Sequence, residues 1–124
     1  MALRYEINTE RKNIRVTAAG EVSPEDFVDL HHRFAAAPDV RADFSILFDL
    51  RHAQSPCNGF SSDGVQTLAT LPNILSPASR RAIVVRSVLG FGIARMYGLR
   101  RGDRMTDFGV FRDLGEAERW IDRE

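Results

Sequence analysis

The chain has 124 residues, 44% of them hydrophobic, and its 17 basic and 17 acidic side chains cancel to no net charge. A folded chain of this length buries ~65% of its unfolded surface, enough for a full core, so one domain over residues 1–124 is expected. No apolar run approaches the ~20 residues of a membrane-spanning helix, and Met1 to Ile7 has neither the apolar centre nor the cleavage site of a signal peptide. The lone Cys57 excludes an internal disulfide and a cysteine zinc site, which together with the missing leader points to the cytoplasm.

The zero net charge hides an uneven distribution. Residues 1–63 carry ten acids and seven bases, residues 64–102 carry six arginines and no acid, and the remainder carries seven acids and four bases. An acid-free arginine block favours anionic partners wherever its side chains share a face; ion pairing with the flanking acidic segments is the alternative outcome.

In chain order, Leu3, Tyr5 and Ile7 and then Ile14, Val16 and Ala18 alternate with mostly polar residues, the period of strands with one buried face. The polar Asn8 to Asn13 connection joins them as a hairpin. After Gly20, Ser23-Pro24-Glu25-Asp26 supplies an N-cap hydroxyl, a proline at the first helical position and first-turn acids. Phe27, Leu30 and Phe34 continue at helical spacing, and the helix is expected over Pro24 to Ala36, ahead of Pro38.

Ser45 to Leu50 is a short, nearly continuous apolar run, as in a central strand covered on both faces. The ten residues after it read as a loop. Ser61 or Ser62 caps a second helix with Val65, Leu68 and Ala69 on one face, limited by Pro72. Ala82 to Val85 is another buried strand. Leu89, Ile93 and Met96 mark a third helix that also holds Gly90, Gly92 and Gly98, each costing ~1 kcal/mol relative to alanine and so pointing to close packing or a mobile turn. Phe108 and Val110 alternate as a last strand. Asp113 and Glu116 then resemble a capping box opening a terminal helix that turns Leu114, Ala117, Trp120 and Ile121 inward.

Strands separated by helices require a mainly parallel sheet. The expected fold is therefore α/β: a single mixed, mainly parallel five-stranded sheet in the order β-β-α-β-α-β-α-β-α, with helices packed on it. The Gly20-Glu-Val-Ser-Pro24 turn, the Ile46-Leu-Phe-Asp-Leu-Arg51 strand, the Ala82 to Val85 strand followed by Gly92-Ile-Ala-Arg-Met-Tyr97, and the segment Val110 to Ile121 carry a resemblance to the SpoIIAA-like family. That family lies within the wider STAS group of sulfate transporters and anti-sigma factor antagonists. The resemblance spans nearly the whole chain, and its motifs are structural ones.

In anti-sigma factor antagonists the resemblance implies a phosphorylatable serine at the start of the helix after the central strand, in an Asp-Ser-Ser-Gly type motif. The matching place here is Phe60-Ser-Ser-Asp-Gly64, which makes Ser61 and Ser62 the candidate regulatory serines. The acid follows the serines instead of preceding them, and plain N-capping explains both residues.

Gly90-Phe-Gly92 lacks the third glycine of a dinucleotide fingerprint, since Arg95 occupies that place. An anion or partner site built from Arg80, Arg81, Arg86 and Arg95 is the stronger candidate in this stretch. Adjacent His31 and His32 project in different directions on a helix, so they do not form a metal pair. His52 follows the central strand beside Asp49 and Arg51, from which alternation separates it, and Cys57 lies in the following loop. Leu71 to Pro77 places Ile74 and Leu75 between two prolines just ahead of Arg80 and Arg81, a pattern that suits apolar-ligand or membrane-surface contact, with Phe91 and Tyr97 in the same role. SpoIIAA-like folds also resemble lipid-transfer domains.

The leading expectation is a non-enzymatic regulatory module that binds a protein or a small anion through the Arg80 to Arg101 face and the start of the second helix. The alternative is a binder of apolar, lipid-like ligands or of a membrane surface, and a third reading is a small hydrolase built on Cys57 and His52. No cofactor, metal or nucleic-acid partner is expected. Peripheral membrane contact and a homo-oligomer stay open.

Overall fold

The computed structural model describes residues 2–54, 62–102, 105 and 107–122. Nine elements follow one another: β1 (Leu3–Asn8), β2 (Asn13–Glu21), α1 (Pro24–Ala36), β3 (Ser45–Gln54), α2 (Ser62–Ala69), β4 (Arg81–Val84), α3 (Val88–Arg101), β5 (Phe108–Phe111) and α4 (Leu114–Asp122). This is the order expected from the sequence. The five strands form one sheet in the spatial order β1-β2-β3-β4-β5, with β1 antiparallel to β2 and every later pair parallel. Each of the three helical crossovers steps to the next strand in the same direction. Crossovers of one hand then leave α1, α2 and α3 on a single face.

Alternation sorts the side chains between the two faces. Ile14, Val16, Ala18 and Ile46 pack with Leu30 and Phe34 of α1, while Ile83 and Val85 pack with Ala94 of α3. Leu47, Ala82 and Val84 point the other way, onto Ala117 and Ile121 of α4. Because α4 covers β3 and β4 from behind, those strands read as continuous apolar runs. The polar face of β1 and β2, with Arg4, Glu6, Arg15 and Thr17, is exposed.

The ends of α1 follow the capping rules. Ser23 N–H donates to the Asp26 carboxylate at 2.9 Å, and Pro24 occupies the first turn. At α4, Asp113 accepts from the Gly115 and Glu116 amides at 2.7 and 3.3 Å. The polar hairpin between β1 and β2 turns through Lys12 at φ 56°, and Gly20 takes φ 76° where β2 ends.

The central strand is longer than its apolar run. Residues 51–54, expected as loop, continue β3, because β2 runs on to Glu21 and offers Ala19, Gly20 and Glu21 as partners for His52, Ala53 and Gln54 across a bulge. The glycines of α3 divide. A side chain at Gly98 would run into the Phe108 ring, 2.7 Å from its Cδ2, whereas one at Gly92 would meet nothing within 4 Å. Close packing therefore accounts for Gly98 and leaves Gly92 unexplained.

Candidate functional site

The three helices on one face do not close onto the sheet. Between them lies a cavity of about 690 Å³, walled by Leu30 and Phe34 of α1, Val65 and Leu68 of α2, Ala94 of α3, and Phe48 and Ile83 of the sheet. That volume falls within the ~300–1,000 Å³ of small-molecule pockets, which are mostly apolar with a few convergent polar groups. Part of the opening has a visible cause: α2 is only eight residues long, and the chain from Thr70 to Arg80 returns to the sheet without a helix to cover it.

Two buried arginines hold that return segment in place. Arg81, 8% exposed, donates to the carbonyls of Leu75, Ser76 and Ser79 at 2.9–3.0 Å. Arg101 donates to the carbonyl of Ala69 at 3.3 Å, to that of Leu71 and to Asn73 Oδ1. Both line the cavity at the amino ends of the strands, with Tyr97 beside them. Burial pushes the Arg81 guanidinium below its usual range; neighbouring Arg101 adds to this and Tyr97 opposes it. Burial likewise pushes the Tyr97 phenol up, against the pull of Arg101 and Arg81.

The carboxyl ends of the strands differ in character. Here the cavity is lined by Arg51, His52, Gln54, Arg86 and Ser87, and Ser87 Oγ caps α3 by accepting from the Gly90 amide at 2.9 Å. Asp49, buried on β3, takes a two-pronged bond from Arg51 at 2.8 and 2.9 Å and a third from its backbone amide at 3.2 Å. The two residues are two apart on a strand and so share a face. Burial alone would raise the Asp49 carboxyl, but the bonds and charge of Arg51, with a smaller pull from His52, outweigh it and hold the group below the usual aspartate range. The Asp49 bond raises Arg51 in turn. His52 is exposed, and as the residue next to Arg51 on the strand it turns to the other face, as alternation implied.

The four arginines expected to form one patch are not brought together. Arg80 reaches towards α4, where it donates to the carbonyls of Trp120 and Ile121 at 3.3 and 3.4 Å and faces Asp107 at 3.5 Å. Arg81 points into the core, Arg86 lies exposed past the far end of the same strand, and Arg95 sits on α3 at 6.0 Å from the Phe91 ring centre. Ile74, Leu75 and Tyr97 all line the cavity, while Phe91 packs against the α3 side of the core. Leu75 is buried and Ile74 half-buried, and both form part of the cavity wall. Ser62 is the first residue of α2; Ser61 and Cys57 lie outside the described residues. His31 Nε2–H donates to the Pro72 carbonyl at 2.7 Å, and its buried Nδ1 has no partner among the described residues.

Comparison with known proteins gives a fold. No family model matches the chain, and no curated protein does. Among solved structures, an uncharacterized protein of the DUF3478 family from Shewanella loihica PV-4, described as having a SpoIIAA-like fold, is similar at a TM-score of 0.61 and 16% identity. The likeness covers 97% of this chain and 94% of that one, so the SpoIIAA-like architecture spans nearly all of both.

Proposed function

We propose that this SpoIIAA-like domain is a non-enzymatic binding module that holds a small apolar or amphiphilic molecule between α1, α2, α3 and the sheet. The observation that carries the reading is the cavity of about 690 Å³ with its apolar walls. The functional groups around it suit holding more than chemistry. Arg81 and Arg101 are engaged with backbone and side-chain oxygens, and Asp49 is tied to Arg51. Among the described residues no three His, Cys, Asp or Glu side chains cluster around a metal position.

Compared with a partner-binding arginine face, this reading needs no patch to assemble. Titration with the neutral apolar fluorophore N-phenylnaphthylamine tests it: saturable one-to-one enhancement is expected, and the dye should be recovered chemically unchanged. Absence of saturable binding would remove the support for the proposal.

A peripheral membrane contact is the second reading. Val88 and Leu89 at the start of α3 are 76% and 52% exposed, next to Arg86, and apolar residues beside a cation suit an anionic interface. Flotation with phosphatidylglycerol liposomes should recruit the protein and lose it in the Val88→Ser, Leu89→Ser double variant. No recruitment at low salt contradicts this second reading.

A further inference from the structure

The charged residues that line the cavity carry one sign. Arg51, Arg81, Arg86 and Arg101 line it, and among the described residues no aspartate or glutamate does. Arg51 is matched by Asp49. The others make the interior favourable for an anion and costly for a cation, since little water screens charge there.

The two ends offer a head group different things. At the amino ends of the strands, Arg81 spends its donors on the carbonyls that fix residues 75–79. At the carboxyl ends, five residues further along the chain, just past the end of the same strand and so roughly 16 Å away, Arg86 is exposed and its guanidinium bonds to nothing among the described residues. Arg112 stands beside it, donating to the Arg86 carbonyl at 3.2 Å. A second, smaller cavity of about 340 Å³ is lined by Arg51, His52, Arg86 and Arg112, and the first three of these also line the large one. An apolar chamber thus runs into a basic antechamber at the edge where open α/β sheets place their ligands.

We propose that the ligand is a long-chain carboxylate whose chain fills the apolar cavity and whose carboxylate lies between Arg86 and Arg112 at the carboxyl edge of β4 and β5. This rests on the cavity reading above and adds the chemistry of the head group. The carboxylate stays partly hydrated at that edge, so it escapes the full desolvation it would meet next to Arg81. Arginine also offers a carboxylate two parallel N–H donors.

The test compares cis-parinaric acid with its methyl ester, which has the same chain and no charge. Charge-assisted bonds of this kind are expected to make the acid bind about tenfold tighter than the ester at low salt. In an Arg86→Ala, Arg112→Ala double variant the acid should fall to the ester's affinity while the ester binds as before. Both side chains are exposed, so circular dichroism should report an unchanged fold. Equal binding of acid and ester by the unmodified protein overturns the head-group assignment and leaves the cavity reading standing. A preference for the acid that survives in the double variant overturns it too. If neither probe binds, the cavity reading fails and this inference falls with it.

Discussion

Replacing Ala94 by leucine asks whether the space beneath α3 is truly open. Ala94 is buried on the inward face of α3 and lines the cavity. In a packed core an inserted leucine forces strain costing ~1–3 kcal/mol. In an open apolar cavity the sign reverses. Leucine adds three carbon groups, worth ~0.8 kcal/mol each on burial, against about 0.5–1 kcal/mol for fixing the side chain. The net gain is about 1.5 kcal/mol in the ligand-free protein. With a urea slope of ~1–3 kcal/mol per molar for small domains, the unfolding midpoint should rise by roughly 0.5–1.5 M at unchanged slope. The same substitution should weaken N-phenylnaphthylamine binding by obstructing the cavity. A midpoint that falls, with the slope preserved, would mean that the space is already filled and would refute the reasoning.

Three further outcomes follow from the packing and hydrogen bonds of the fold. Arg81→Met should lose about 3 kcal/mol in urea unfolding, since buried carbonyls left without a donor cost ~1–3 kcal/mol each and Leu75, Ser76 and Ser79 would all be exposed to that loss; Arg81→Lys should recover only part, as an ammonium cannot fork. Asp49 has its folded pKa depressed, so its contribution is present above the ordinary aspartate value of about 4 and is lost as pH falls below it. Urea midpoints from pH 6 to pH 3 should therefore drop more steeply for the unmodified protein than for Asp49→Asn. Finally, Gly98→Ala should destabilise by ~1–3 kcal/mol through the Phe108 ring, while Gly92→Ala, with open space around it, should stabilise by up to ~1 kcal/mol; thermal melts of the pair would read both signs.

Much of the architecture was legible because it rests on local rules. The Ser23-Pro24 start and the residue before Pro38 bracket α1, and the run Ser45 to Leu50 reports a strand covered twice. The extension of β3 to Gln54 was not legible, since it depends on a partner strand thirty residues away offering free backbone groups. Nor was the cavity. Leu68 and Ile93, both half-buried, repeat with the spacing of ordinary core residues, and periodicity cannot distinguish a side chain packed against a neighbour from one that borders open space. Ile74, Leu75 and Tyr97 stand out in the sequence by their apolar character and do line the cavity. Arginines 80 and 81 show a different limit: adjacent in sequence, they face opposite sides of the sheet, one towards α4 and the other into the core.

The most direct test of the central claim, that this domain encloses an apolar molecule beneath α1, α2 and α3, is a crystal structure with a long-chain fatty acid brominated near its methyl end. Anomalous density for bromine is predicted among the cavity-lining Phe48, Leu68 and Ile93. Full occupancy of bromine on the outer surface, with the interior closed by side chains, would contradict it.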